Sequence, residues 1–402
     1  MVAAWWATLT AFAALALATP AAAQPEPPRP DARAWLLVDA GDGEVLAARR
    51  PSRPAAIASA TKLMTAYVAR RELKLDEPVV APDYDGAPIE SLLGLEAGEE
   101  IRVRDLLAGL LLASGNDAAV ALAVASSGSV PEFVAEMNAA ARRLGLGDTS
   151  YANPIGLDDP ANRSTPSDLA RLAIELRRDP FLAGLFDTPR MRLRSGARRR
   201  EVVNRNDLVA EVGWVDGIKT GHTLDAGHVL VGSGTRKGVT LVSVVLGAPD
   251  EEARNEATLE LLRHGFSLYR RRSPVERSQR LAAPPIRYRD EALPLVASRG
   301  VDLVVRRGQR VQTRTVAPDE VEGPIANGER IGRAVVTVDG EVAGRVPLVA
   351  ARAVPAATTL ERIDAAVPGS RVIVWGLAAI VCALAVAGIL LARSRRRGRA
   401  GG

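Results

Sequence analysis

The 402-residue chain has one cysteine, Cys382, three histidines and 4% aromatic residues, and of its 52 basic side chains only Lys62, Lys74, Lys219 and Lys237 are lysine. A single thiol excludes a disulfide framework, so core packing must stabilise the fold. His222, His228 and His264 have no carboxylate cluster at metal-ligand spacing, so neither a metal nor a cofactor is read from the sequence. Positive charge is short where a nucleic-acid binder needs it. The net charge is +5, but Arg371, Arg393, Arg395, Arg396, Arg397 and Arg399 crowd an acid-free C-terminal end. Everything before them is slightly negative, whereas gripping phosphates needs excess positive charge on the folded domain. Nucleic acid is excluded as the main partner.

With 47% hydrophobic and 25% charged residues, the chain has the composition of a globular protein with one large core and a smaller module. Its two ends read differently. Residues 1–23 are apolar and finish in Ala21-Ala22-Ala23, the small-residue pattern of a signal peptide, which places the mature start near Gln24. Residues 372–392 contain no charge and, at about 1.5 Å per residue, are long enough to cross roughly 30 Å of hydrocarbon as one transmembrane helix. The Arg-rich residues 393–402 after it should stay cytoplasmic, leaving the folded part outside.

Between these ends, residues 24–33 (QPEPPRPDAR) read as a Pro-rich linker. A hairpin follows: a strand at Ala34–Val38, a turn at Gly41-Asp42-Gly43 and a strand through Val45 and Leu46. A mostly helical stretch begins at Ile57 and closes with strands at His228–Gly234 and Val239–Gly247, then a helix near Glu251–Leu268. Strands at both ends of a helical insertion predict an α+β fold, an antiparallel sheet with a helical subdomain. Residues 34–270 form this domain. Short β-rich runs at 280–355 predict a C-terminal all-β domain, and the Pro/Ala stretch Val354-Pro355-Ala356-Ala357 with Val367-Pro368-Gly369 marks residues 356–371 as a stalk.

Three motifs carry chemistry. Ser59-Ala60-Thr61-Lys62 sits at a helix start, and the i, i+3 spacing puts Ser59 and Lys62 on one face. A serine hydroxyl is a poor nucleophile at neutral pH, and a desolvated amine can take its proton. Ser114-Gly115-Asn116 lies between two apolar helices, where a hydroxyl and an amide can share a cleft; alone it reads better as helix capping. Lys219-Thr220-Gly221-His222, on an edge strand, sets a cation and a hydroxyl toward the cleft, with Gly221 permitting close approach of a substrate backbone. In an arginine-dominated chain, two of four lysines occupy these motifs, and arginine cannot act as a neutral base.

The ordered motifs match the signature of penicillin-binding proteins and serine β-lactamases. The chain resembles the low-molecular-mass D-alanyl-D-alanine carboxypeptidases, the S11 peptidases, over roughly 34–270. The β-rich 280–355 is similar to that family's C-terminal domain. Asn153-Pro154-Ile155-Gly156-Leu157 and Asp225-Ala226-Gly227 extend the resemblance. It implies a transpeptidase-like fold and removal of the terminal D-alanine from peptidoglycan pentapeptides. The enzyme would be held at a bacterial cell membrane with its catalytic domain on the extracytoplasmic side, and β-lactams would be its covalent inhibitors. By resemblance Ser59 is the acylated nucleophile, Lys62 its base and Ser114 the proton donor to the leaving group. Asn116 binds the substrate amide, the N–H groups of Ser59 and His222 form the oxyanion hole, and Lys219, Thr220 and Arg254 receive the terminal carboxylate.

Two rivals are weighed. A class A β-lactamase needs a glutamate to activate the deacylating water, and no E-x-x-L-N pattern lies between Asn116 and Lys219. A non-catalytic wall-binding protein of this fold has no need of both Ser59 and Lys62. The arginines from Arg190 to Arg205 read as the solvated face of a hairpin rather than a contact for wall polymer.

Overall fold

The computed structural model of the protein describes residues 26–366 and 370–398, and the chain divides into two compact units at Leu268/Tyr269. The signal-peptide reading, residues 1–23, lies outside the described residues.

The first unit is built on a five-stranded antiparallel sheet. Its order is β2 (Val45–Arg49), β1 (Ala34–Asp39), then Val239–Ala248, Gly227–Arg236 and, at the edge, Val215–Thr223. Ala34 to Val38 and Leu241 to Leu246 are buried at consecutive positions, the pattern of strands covered on both faces. The Glu251–Ser267 helix and α5 (Pro166–Leu176) supply cover by packing on these central strands. Asp250 caps the former helix by accepting from Ala253 N at 2.8 Å, and Thr165 caps α5.

α1 (Lys62–Glu72) runs through the middle of the helical layer, touching α2 (Val103–Leu111), α3 (Asn116–Ser127), α4 (Val130–Arg143) and α5. Every residue of α1 from Lys62 to Ala66 is buried. Enclosure on all sides explains the weak amphipathic pattern.

The second unit holds a five-stranded antiparallel sheet in the order Arg280–Ala282, Leu295–Ala297, Glu341–Ala350, Arg330–Val338, Val311–Val316. Ala334 and Val336, and Val346, Leu348 and Ala350, alternate toward one apolar core. The unit starts earlier than the sequence suggests. Tyr269–Val275 is a strand paired with Val301–Arg306, and its exposed run of arginines hides the signal. The expected stalk is helical over Thr359–Ala366, where Glu361 pairs with Arg289 at 3.0 Å.

A helix spans Ser370–Gly398, and its apolar part Trp375–Ile389 is exposed. Among the described residues no single helix is long and apolar enough to cross a membrane. The bent pair α3–α4 reaches the required apolarity jointly, yet Ala118, Ala119, Leu122, Phe133 and Met137 lie in the core of the first unit.

Candidate active site

Ser59 sits on a 3-10 turn, Ala58–Thr61, which delivers the chain into α1. The residue before it, Ala58, has φ +46, a left-handed conformation uncommon outside glycine and held here by close packing. Two glycines make that packing possible. A Cβ on Gly156 would lie 2.1 Å from Ala58 O, and one on Gly221 would lie 2.8 Å from Ser59 N. The close neighbour of Gly221 is therefore the Ser59 turn itself, a constraint the sequence reading assigns instead to substrate.

Lys62 is fully buried one turn on. Its Nζ lies 3.2 Å from Ser59 Oγ, 2.7 Å from Asn116 Oδ1 and 2.5 Å from the carbonyl oxygen of Ile155. A neutral amine has two N–H bonds and one lone pair. Donating to Asn116 and Ile155 uses both hydrogens and leaves the lone pair for the serine hydroxyl. Burial pulls the Lys62 pKa from 10.5 to about 7, Arg205 adds to the fall, and Glu90 and Asp117 oppose it. The amine is thus poised near neutrality. Ile155 takes part through its backbone, and Thr65 bonds the carbonyl of Pro154 at 2.6 Å, so this loop is pinned to α1.

The tight turn between α2 and α3 carries the second motif. Ser114, at φ +64, is almost fully buried on the cleft wall, and Asn116 opens α3. The capping alternative for this motif does not hold, because α3 has no side-chain cap bond and Asn116 faces Lys62 instead. Asp117 supports the arrangement by accepting from the backbone N–H groups of Leu93, Gly94 and Leu95 at 2.7 to 2.9 Å. That interaction draws the loop before α2 against the site.

The third motif lies on the edge strand, whose start is tied down by Asp216 bonding Arg177 at 2.8 Å and Ser233. Lys219 is buried with Nζ 2.9 Å from Thr220 O. Burial, then the nearby charges of Lys62, Arg205 and Arg254, hold its pKa well below 10.5. A carboxylate beside Lys219 would favour its charged form. His222 stacks on His228 with ring centroids 4.2 Å apart, and burial, His222 and Arg254 together lower the His228 pKa.

A cleft of about 740 Å³ gathers these elements. Ser59, Ser114, Asn116, Thr220, Gly221, His222 and Arg254 line it, while Lys62 and Lys219 lie buried beneath. Arg254 is occupied, bonding Glu251 at 2.6 Å and Asn255. Among the described residues no group of His, Cys, Asp or Glu could hold a metal.

Glu90 and Arg205 are among the cleft residues that lie outside the sequence motifs. Glu90 comes from the loop before α2, and its Oε2 accepts from Asn116 Nδ2 at 2.6 Å. Arg205 lines the cleft and bonds the carbonyl of Ala113 at 3.0 Å. The arginine hairpin is thus not simply solvated. Arg190 and Arg192 pair with Glu201 at its surface, but Arg200 forms a buried ion pair with Glu99 at 2.6 Å and bonds Leu93 and Gly94 carbonyls.

The D-alanyl-D-alanine carboxypeptidase family matches residues 21–250, and the C-terminal domain of penicillin-binding protein 5 matches residues 269–356. The chain is 31% identical over 330 residues to the D-alanyl-D-alanine carboxypeptidase DacF of Bacillus subtilis (strain 168), spanning 80% of this chain and 85% of that protein. It is 32% identical over 341 residues to DacC of Escherichia coli (strain K12), also a D-alanyl-D-alanine carboxypeptidase, spanning 81% and 84%. The solved structure of penicillin binding protein 5 from Haemophilus influenzae superposes with a TM-score of 0.59 at 30% identity, covering 82% of this chain and 99% of that one.

Proposed function

Because the chain belongs to the D-alanyl-D-alanine carboxypeptidase family, we infer that it is a serine-type hydrolase removing the terminal D-alanine from peptidoglycan stem peptides that end in D-Ala-D-Ala. β-Lactams acylate the same serine. The observation that carries the mechanism is the Lys62 amine, buried, near neutrality and 3.2 Å from Ser59 Oγ.

Ser59 Oγ attacks the carbonyl of the penultimate D-alanine while Lys62 takes its proton. Charge develops on the carbonyl oxygen, and the backbone N–H groups of Ser59 and His222 stabilise it. Ser114 passes a proton to the departing D-alanine amine, leaving an ester on Ser59 that water hydrolyses. Asn116 binds the substrate amide through Nδ2, which has two hydrogens and gives only one to Glu90. Lys219, Thr220 and Arg254 receive the terminal carboxylate, and Gly221 keeps the strand against the Ser59 turn.

Two properties extend this reading. Residues 372–392 anchor the enzyme in a bacterial cell membrane with its catalytic unit on the extracytoplasmic side. The support is an uncharged run, exposed apolar residues such as Trp375, Leu377 and Leu384, and arginines following it. Residues 1–23 export the chain.

The β-lactamase alternative finds no carboxylate between Asn116 and Lys219 among the residues lining the cleft except Asp207. The test is D-alanine release from diacetyl-Lys-D-Ala-D-Ala by the full chain. Release that disappears in Ser59→Ala supports the carboxypeptidase. Rapid penicillin hydrolysis without release would transfer the case to a lactamase.

A further inference from the structure

Asn116 must present its oxygen, and not its nitrogen, to Lys62. A carboxamide rotated by half a turn has almost the same shape but would put two N–H groups against the amine. What decides the orientation lies on the opposite side of Asn116. Glu90 Oε2 accepts from Asn116 Nδ2 at 2.6 Å and from Tyr84 Oη at 2.5 Å, while Oε1 accepts from Ala87 N at 3.0 Å. Both carboxylate oxygens are engaged, so the side chain is held as an acceptor facing Asn116.

We propose that Glu90 is a positioning residue for acylation: it fixes the Asn116 carboxamide so that Oδ1 takes one hydrogen of Lys62, which turns the lone pair of Nζ toward Ser59 Oγ. This rests on the reading of Ser59 and Lys62 as nucleophile and base. The chain Tyr84–Glu90–Asn116–Lys62–Ser59 is continuous, and each link is a hydrogen bond of 2.5 to 3.2 Å. Partial burial pushes the Glu90 carboxyl up, but bonds from Tyr84, Asn116 and Ala87 outweigh it and hold the group below the usual carboxylate range. Glu90 is therefore an anion when Lys62 is working.

The charged groups facing Lys62 are Glu90 from the loop, Asp117 from α3, Arg205 from the segment after the arginine hairpin and Lys219 from the edge strand. Removing the Glu90 charge leaves a more positive surrounding and lowers the pH at which Lys62 becomes neutral. Glu90→Gln keeps an acceptor for Asn116 and loses the charge, whereas Glu90→Ala loses both.

The experiment is the pH dependence of Ser59 acylation by a fluorescent penicillin, using the full chain in detergent, with release of the label followed separately. In both variants the rising limb should move to lower pH. The plateau should stay within about 3-fold of wild type in Glu90→Gln and fall about 10-fold or more in Glu90→Ala. A Glu90→Ala plateau equal to wild type would overturn the proposal, as would variants that acylate normally and lose only release, which would make Glu90 a water-activating group. Should Glu90→Ala not fold, a Glu90→Gln limb that stays at the wild-type position would overturn it equally. Wild-type protein that takes no label on Ser59 would instead sink the underlying reading of the site.

Discussion

Lys62 shows how one residue type can be required where its usual substitute is abundant. Arginine outnumbers lysine throughout the chain, yet an amine is retained beside Ser59, buried and with its pKa brought to about 7. A guanidinium cannot lose its proton at that pH. Lys62→Arg should therefore lower acylation by about 100-fold or more, measured as the rate of penicillin labelling. In wild type the rate should climb with pH through about 7, because the base works only when neutral and the neutral form gains as pH rises past its pKa. A rate flat from pH 5.5 to 8.5 would contradict this assignment.

Elements outside the motifs hold the motif residues in place. The Ser59 turn is clamped between Gly156 and Gly221, and Gly156 itself has φ +90. Gly156→Ala must displace the Ala58 carbonyl, and acylation should fall about 100-fold, since a misplacement near 1 Å has that effect. Loss of stability by about 1–3 kcal/mol should accompany it in urea unfolding. The loop carrying Glu90 depends on Asp117 and on the buried Glu99–Arg200 pair. Breaking a buried pair costs about 3–5 kcal/mol, so Glu99→Gln should destabilise the first unit and raise hydrogen exchange at residues 93–99. The bond from Arg200 holds the Glu99 carboxyl at about 2 against an ordinary 4.5. Its stabilisation is present above pH 4.5 and is lost as pH falls toward 2, because the unfolded chain takes up the proton first.

The same elements show what local sequence can reveal. The three motifs, the turn at Gly41-Asp42-Gly43 and the Glu251–Ser267 helix are legible because spacing, turn residues and caps are local signals. Glu90, Arg200 and Arg205 are not legible. Each acts across more than twenty residues of sequence, through a loop fold that Asp117 and the hairpin impose, and nothing around Glu90 marks it. The all-round burial of α1 and the arginine-rich Tyr269–Val275 strand escape for a related reason, since tertiary contacts override their hydropathy patterns.

At the scale of the whole molecule, a catalytic unit and a β-rich unit precede a C-terminal helix with exposed apolar side chains. The anchoring proposal predicts fractionation behaviour. An exported chain ending at residue 355 should appear in the soluble fraction and still bind penicillin, whereas the full chain should sediment with membranes until detergent is added. Identical fractionation of the two would contradict the anchor and leave the catalytic reading untouched.

The central claim, that Ser59 is an acylated nucleophile in a site built to hydrolyse D-Ala-D-Ala peptides, is tested most directly by intact-mass spectrometry of the full chain after exposure to benzylpenicillin, with peptide mapping of the adduct. The account predicts one covalent penicilloyl group, mapped to Ser59, persisting for minutes and blocking D-alanine release. No adduct, or an adduct mapped to another residue, would contradict it.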